Sequence, residues 1–334
     1  MVLTDINMPE MDGLTLLEKL SELDVLLKAV IVSAYDDMEN IRTAMNRGAF
    51  DFLTKPIDFQ DLEITIGKTL QELMTLKQGL QAREQLLALQ KELSIATSIQ
   101  QSILPQTFPP FPERQEFEIY AQMVPARHVG GDFYDFFLID EERIGLVIAD
   151  VSGKGVPAAI FMAMSRALLK ATALTSVSPG ECLRHVNRRL CRESDSGLFV
   201  TLFYGILHIR TGEVEYSIAG HSPPYLLQAT GGITAVEYKG GMVLGVVEDN
   251  EYQVGRIVLQ PGDGLFLYTD GVTEASDADQ NLFSEPRLTE FLQRISSSSL
   301  PEIIQGAVSE VRSFSTGLPQ TDDITMLALR YLGS

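Results

Sequence analysis

The pattern of apolar and polar positions divides the chain into three parts. In residues 1–56, short apolar runs alternate with stretches whose apolar positions recur every three or four residues. This alternation predicts the order strand, helix, strand, helix, strand, formed by the segments VLTD, LTLLEKLSEL, KAVIVSA, MENIRTAMNRGA and FDFLTKP. Short apolar strands separated by amphipathic helices are typical of an α/β fold with a parallel sheet, which carries its functional groups at the carboxyl ends of the strands.

Residues 57–104 contain no proline, and their apolar side chains repeat at helical spacing. The repeating positions are Ile66, Leu70, Leu73, Leu76, Leu80, Leu86, Leu89, Leu93 and Ala96. The spacing slips between Leu80 and Leu86, so the stripe is not an unbroken heptad run. A helix of about 45 residues would be roughly 65 Å long and would need a partner to cover this stripe. We expect a parallel, dimeric coiled-coil linker, with a helix folded back on its own domains as the alternative.

Beyond the proline-rich segment at residues 105–112, strand-like patterns dominate. Eight segments from FEIYAQMV to DITMLALRYL read as strands, and helical patterns occupy residues 157–173, 179–192, 285–295 and 300–313. Antiparallel strands with segregated helices predict an α+β domain, a β-sandwich of two antiparallel sheets flanked by helices. The predicted organisation is therefore an α/β domain at residues 1–58, a helical linker at 59–104 and the sandwich domain at 105–334.

The composition and net charge of the chain disfavour some classes of binding partner. The chain has 334 residues, of which 45% are hydrophobic, and a formal net charge of −19. Such a charge disfavours nucleic acid and anionic membrane as partners, because both would be repelled. The sequence shows no basic-then-apolar leader and no uninterrupted apolar run of about 18 residues. We therefore expect a soluble cytoplasmic protein, in which Cys182 and Cys191 are reduced.

Four acidic motifs in the sandwich domain outline a metal site made of carboxylates. They are GGDFYD, IADVSGKG, LYTDGVTEA and QTDDITML, and each sets aspartate beside glycine or at the end of an apolar run. Carboxylates that converge from several strand ends repel one another unless divalent cations neutralise them. Oxygen-only ligands favour Mg²⁺ or Mn²⁺, and no CxxC or HExxH pattern offers a zinc site.

The first domain carries a second candidate site. Asp5, Ser33 and Lys55 stand at predicted strand ends, where they could bind a phosphoryl group as nucleophile, hydrogen-bond donor and counter-charge. The motifs DINMPEMDGL, VSAYDD and GAFDFLTKPID resemble the second half of a response-regulator receiver domain. The resemblance implies that Asp5 is the phosphoacceptor, that Ser33 and Phe52 are switch residues and that Lys55 contacts the phosphate. It also implies an upstream histidine kinase, if the receiver is complete in the native gene.

The receiver resemblance covers only part of that domain. Receivers carry an acidic pair at the end of their first strand that holds Mg²⁺, whereas the matching region here begins at the third strand. A fragment, a wrongly assigned start and a truncated receiver that is not phosphorylated normally all stay open. We favour the first two, because half a parallel sheet would expose unpaired edges.

The sandwich domain carries a second resemblance. The motifs VPARHVGGDFYD, ADVSGKGVPAA, AGHSPP, TDGVTEA and DDITML occur in this order over about residues 95–334. They resemble the metal-dependent protein phosphatase (PPM) family, in the bacterial branch typified by the stage II sporulation phosphatase. The resemblance implies catalytic metal ligands at these positions: Asp132, Asp150, Asp270, Asp322 and the backbone carbonyl of Val151. Asp150 would bridge two cations.

The remaining candidates near these motifs have weaker assignments. Asp135 and Asp323 would be outer-shell or capping residues. Arg127 is a candidate for gripping the substrate phosphate, although a solvated loop arginine is the more usual interpretation. His221 in AGHSPP is expected to hydrogen-bond to backbone in a tight turn, ahead of a role as catalytic acid.

The resemblance implies a definite chemistry. Two Mn²⁺ or Mg²⁺ ions about 4 Å apart would activate a water that attacks phosphoserine or phosphothreonine directly. The implied substrate is a phosphorylated anti-sigma-factor antagonist of the STAS type. One alternative is a non-catalytic, partner-binding regulator, which the retained ligand positions disfavour. The other is a constitutive phosphatase with a non-signalling receiver remnant that serves only for dimerisation.

Overall fold

The computed structural model describes residues 1–23, 26–34, 37–176, 178–193 and 197–333. The chain forms two compact units, residues 1–92 and residues 93–334. Each unit has its own hydrophobic core.

The first unit contains a three-stranded parallel sheet in the order β1-β2-β3. Its elements are β1 (Val2–Asp5), α1 (Gly13–Leu23), β2 (Ala29–Ala34), α2 (Met38–Asn46) and β3 (Asp51–Lys55). The central strand β2 is buried from Ala29 to Ser33 because it is covered on both faces. Ile31 packs with the helix residues Leu17 and Ala44, while Val30 packs with Leu53. The predicted α/β fold is confirmed here.

The predicted linker is a single helix, α3 (Phe59–Ile103), of 45 residues. Its apolar stripe is covered unevenly. Leu73 is buried, whereas Leu80, Leu86 and Leu89 are exposed. The middle of α3 therefore presents apolar side chains that are about half exposed.

The second unit is a sandwich of two sheets. Its strands are β4 (Phe117–Val124), β5 (Phe133–Leu138), β6 (Arg143–Val151), β7 (Val200–His208), β8 (Glu213–Ala219), β9 (Tyr225–Leu227), β10 (Ile233–Ala235), β11 (Gly240–Gly241), β12 (Gly255–Val258), β13 (Gly264–Tyr268) and β14 (Ile324–Tyr331). One sheet has the order β10-β9-β13-β14-β4 and the other β11-β8-β7-β6-β5, with β12 paired to β8. All pairs are antiparallel except β11 with β8. The predicted sandwich is confirmed.

Helices cover both outer faces of the sandwich. They are α4 (Val156–Ala173), α5 (Pro179–Glu193), α6 (Asp270–Thr273), α7 (Ser284–Ile295) and α8 (Leu300–Phe314). The pair α4 and α5 packs on the sheet that contains β6 and β7, and α8 packs on β4 and β14. The sequence pattern did not predict α6 or the three short strands β10, β11 and β12, because segments of two to four residues are too short to show a period.

Helix α4 is the one described helix whose length and composition would suffice to cross a membrane. The core helix of a globular domain meets the same criterion. Phe161, Met162 and Leu169 of α4 are buried in the core of the second unit.

Candidate metal centre

Asp132 is held between the two sheets of the sandwich. It directly precedes β5, and its carboxylate is buried. The Thr269 hydroxyl, which follows β13 in the other sheet, donates to Asp132 Oδ2 at 2.7 Å. The same hydroxyl accepts a hydrogen bond from the backbone N–H of Thr325 at 3.1 Å. Thr269 therefore helps to fix the position of this buried carboxylate.

Asp150 lies near the end of β6, opposite Thr201 of β7. Burial raises the pKa of Asp150, and the negative charge of Asp270 raises it further. Burial also raises the pKa of Asp132 well above its usual value, and the charge of Asp150 adds to that effect. Both carboxyls therefore resist ionisation in the absence of a positive charge.

Asp270 and Asp322 come from neighbouring strands of the other sheet. Asp270 follows β13 as the first residue of α6, and Asp322 stands just before β14. The pKa of Asp270 is raised by burial and then by the nearby charges of Glu274 and Asp322. Lys154 Nζ lies 2.8 Å from Asp322 Oδ2 and also donates to the carbonyl of Thr321.

Antiparallel pairing explains why these four aspartates converge. The start of one antiparallel strand lies beside the end of its neighbour. Asp132 and Asp150 flank the β5–β6 pair, and Asp270 and Asp322 flank the β13–β14 pair, so all four reach one edge of the sandwich. Among the described residues, no three His, Cys, Asp or Glu side chains already surround a single metal position.

The donor chemistry of this edge fits hard divalent cations. Neighbouring carboxylates contribute to the raised pKa values of Asp132, Asp150 and Asp270, an effect that a bound cation would reverse. The carbonyl of Val151 points toward Gly131, where an added Cβ would lie 2.7 Å from that oxygen. The Val151 side chain itself is buried in the core.

The loop that carries Asp132 is fixed by Asp323. The Asp323 carboxylate accepts hydrogen bonds from the backbone N–H groups of Ala126 and Gly131, at 2.8 and 2.7 Å. A Cβ at Gly130 would lie 2.1 Å from Asp323 Oδ2, so only glycine leaves room for this contact. The Asp323 carboxylate thus caps the backbone of this loop.

The sequence interpretation missed Gln100, near the end of α3. Its buried side-chain amide donates to Gly130 O at 2.6 Å and accepts from Gly130 N at 3.0 Å. Thr97, one turn earlier, donates to His128 O. The last turns of α3 therefore hold the loop that presents Asp132. The only signal in the sequence is a polar residue four positions after Ala96, in line with the apolar stripe of α3.

His221 connects the two sheets behind the carboxylates. Its Nε2 donates to the carbonyl of Tyr268 at 3.1 Å, and its Nδ1 lies 2.8 Å from the Thr201 hydroxyl. Burial lowers the pKa of His221 to about 4. The ring is therefore neutral at physiological pH, with a hydrogen bond to backbone as expected. Its burial disfavours the alternative role of catalytic acid.

Two further candidates lie elsewhere. Asp135 is buried against α4, where Arg166 Nη2 is 2.9 Å from its Oδ2 and Lys170 Nζ is 3.8 Å away. Burial raises the pKa of Asp135, and the two cations oppose that effect. Asp135 therefore anchors α4 to β5. Arg127 is exposed in the loop before Asp132, as expected for a solvated arginine.

The receiver candidates are only partly brought together. Lys55 forms an ion pair with Asp5, and this contact is the main reason that the pKa of Asp5 is lowered. The Ser33 hydroxyl donates to Asp37 Oδ2 at 3.1 Å. Phe52 is half-exposed on β3. Tyr35 and Asp36 of the VSAYDD motif lie outside the described residues.

Two family models match separate parts of the chain. Residues 140–332 match the family model of stage II sporulation protein E (SpoIIE), and residues 1–66 match that of the response regulator receiver domain. Phosphoserine phosphatase RsbU of Bacillus subtilis is 31% identical over 271 residues, which are 81% of this chain and 77% of RsbU. Protein IcfG of Synechocystis sp. is 32% identical over 265 residues, 71% of this chain, which spans only 41% of IcfG.

A solved structure extends the comparison to the fold. The RsbU and RsbW domains of Rv1364c from Mycobacterium tuberculosis superpose with a TM-score of 0.58 at 28% identity. The match covers 65% of this chain and 61% of that chain.

Proposed function

Because the chain belongs to the SpoIIE family, we propose that it is a response regulator whose output domain is a metal-dependent protein serine/threonine phosphatase. The observation that carries the proposal is the convergence of Asp132, Asp150, Asp270 and Asp322 at one edge of the sandwich. The raised pKa values of Asp132, Asp150 and Asp270 and the oxygen-only chemistry of the four side chains support a divalent cation site there. The similarity to RsbU, a phosphoserine phosphatase, supports the reaction class.

The residues of this chain have distinct roles in the proposed reaction. The four aspartates and the Val151 carbonyl would hold two cations, either Mn²⁺ or Mg²⁺. Bound there, the cations would supply an activated water and neutralise charge on the phosphoryl oxygens. Thr269 keeps the Asp132 carboxylate oriented through its hydrogen bond. Lys154 adds positive charge beside Asp322, where it favours approach of a phosphate group.

The proposal extends to substrate and partners. We infer a phosphorylated anti-sigma-factor antagonist of the STAS type as substrate, on the strength of the similarity to RsbU. A histidine kinase would phosphorylate Asp5 in a complete receiver. The exposed side chains of Leu80, Leu86 and Leu89 support a homodimer through α3. A cytoplasmic location agrees with these partners.

Hydrolysis of a chromogenic aryl phosphate with Mn²⁺ tests the proposal. The full chain should turn over the substrate, EDTA should abolish turnover, and Asp150→Asn should lower it at least about 100-fold. Asp249→Asn is the matched control, since Asp249 is an exposed carboxylate paired with Arg188 on the surface. Equal turnover in the native and Asp150→Asn chains would contradict the proposal. No turnover of the aryl phosphate or of a phosphoprotein would favour the partner-binding regulator.

A further inference from the structure

A cleft of about 180 Å³ adjoins the candidate metal centre. Gly271 of α6 and Asp322 form one of its walls. Ala275 and Val311 contribute apolar surface, and Leu318 belongs to the loop that borders the cleft. The volume far exceeds the roughly 10–15 Å³ that one water needs, and it suits a single large side chain.

The wall shared with the metal centre is fixed by close backbone packing. An added Cβ at Gly271 would lie 1.9 Å from the backbone oxygen of Asp323, so the start of α6 contacts the segment before β14 directly. Gly271 follows Asp270 in the chain, and Asp322 is itself a predicted ligand. A side chain in the cleft would therefore lie directly beside the carboxylate edge.

The lining and the net charge together indicate what the cleft accepts. The apolar part of the lining includes the buried residues Ala275 and Val311 and the side chain of Leu318, which is 42% exposed. Polar and charged groups, among them Arg312, Gln320 and Asp322, line the rest of the cleft. A protein of net charge −19 repels a phosphoprotein over long range, so recognition of the substrate needs short-range contacts in addition to the phosphate. An apolar side chain that packs against the apolar part of this lining supplies such a contact.

We propose that this cleft is a substrate subsite, which takes an apolar side chain located within a few residues of the phosphorylated serine or threonine. The proposal rests on the phosphatase function proposed above. A peptide or protein substrate reaches both the metal centre and the cleft. An aryl phosphate has no side chain to place there and reaches only the metal centre.

Two variants change the cleft from different directions. Leu318→Asp places a charge at its border, and the exposure of Leu318 lets this change occur without disturbing the core. Ala275→Leu fills the cleft from inside, since Ala275 lines it and is buried. Leu332→Asp is the matched control, because Leu332 is 43% exposed and is not part of this lining.

The experiment measures kcat/KM of the full chain with Mn²⁺ on a set of synthetic phosphoserine peptides. In an alanine background, one leucine is moved stepwise from three residues before the phosphoserine to three residues after it. We expect one placement to raise kcat/KM about tenfold over the all-alanine peptide, the effect of filling an apolar pocket. Leu318→Asp and Ala275→Leu should lose this preference and Leu332→Asp should keep it. Turnover of the aryl phosphate should stay within about twofold of native in all three variants.

The outcomes separate the two proposals. If the native chain hydrolyses the aryl phosphate but shows no leucine preference, the subsite is wrong and the phosphatase stands. A preference that survives both cleft variants also overturns the subsite. If neither the peptides nor the aryl phosphate is hydrolysed, the phosphatase function and the subsite fall together.

Discussion

The two units of this chain use the same residue type in opposite electrostatic settings. Asp5 in the first unit is partly exposed, and its ion pair with Lys55 lowers its pKa. Asp132 and Asp150 in the second unit are buried beside other carboxylates, which raises their pKa. The ionised carboxylate of Asp5 suits its predicted role as a nucleophilic phosphoacceptor. The buried aspartates suit a site that is completed by cations.

The largest expected effect is on the pH dependence of stability, through His221. The pKa of His221 is lowered from 6.5 to about 4 in the folded chain. As the pH falls, His221 is therefore protonated at a higher pH in the unfolded chain than in the folded chain. Folding stability contributed by neutral His221 is therefore complete above pH 6.5 and is lost as the pH falls toward 4. The loss amounts to about 3 kcal/mol by pH 4.

Urea unfolding of the native chain and of His221→Gln, at several pH values between 7 and 4, measures this effect. The advantage of the native chain over the variant should shrink as the pH falls, because glutamine does not titrate. His185→Gln removes an exposed histidine and serves as the control. If the difference in unfolding free energy between the native chain and His221→Gln stays constant from pH 7 to pH 4, His221 does not link the sheets in its neutral form.

The second prediction concerns the donor to Asp132. Thr269→Val keeps the shape of the side chain but removes the hydroxyl that donates to Asp132 and accepts from Thr325 N–H. Affinity for Mn²⁺, measured by calorimetry, should fall about 10- to 100-fold, as for other residues that orient a metal ligand. Thr289→Val is the control, since Thr289 is exposed on α7. Unchanged affinity for Mn²⁺ in Thr269→Val would contradict the placement of Asp132 among the metal ligands.

Gln100→Ala tests whether the end of α3 supports the buried site. It leaves Gly130 N–H and C=O without their partner, which should lower the free energy of unfolding of the second unit by about 1–3 kcal/mol. Thermal unfolding with and without Mn²⁺ measures the change. Gln101→Ala, at the exposed neighbouring position, should leave the transition nearly unchanged. Equal losses in both variants would mean that the contact with Gly130 contributes nothing.

The smallest effect is expected in the exposed site. Lys55→Met removes the cation beside Asp5, so the pKa of Asp5 should return toward its ordinary value. Stability should change by less than about 1 kcal/mol, because exposed ion pairs contribute little. NMR titration of the Asp5 carboxyl measures the first effect. A pKa of Asp5 that is unchanged in Lys55→Met would remove the basis for contrasting the two sites.

Long periodic segments were predictable from sequence, and contacts between distant residues were not. The run FEIYAQMV predicted β4 with its bounds, and the apolar spacing predicted α3. The role of Gln100 depends on a contact with a loop 30 residues away, which no local pattern encodes. The one-turn helix α6 and the two-residue strand β11 exist only through their neighbours.

In the candidate site, the aspartates were predictable from sequence and their supporting contacts were not. Four acidic motifs predicted which aspartates to consider, because each stands at a turn beside a strand. The supporting contacts of Thr269, His221 and Lys154 come from residue types that occur in many surface loops. Their roles follow from burial and from the pairing of the two sheets, which the structure supplies.

Calorimetric titration with Mn²⁺ tests most directly whether the four aspartates form a divalent cation site. The account predicts two Mn²⁺ ions per native chain, and for Asp150→Asn an affinity at least about 100-fold weaker. Asp249→Asn should bind as the native chain does. Native-like stoichiometry and affinity in Asp150→Asn, or no Mn²⁺ binding by the native chain, would contradict the account.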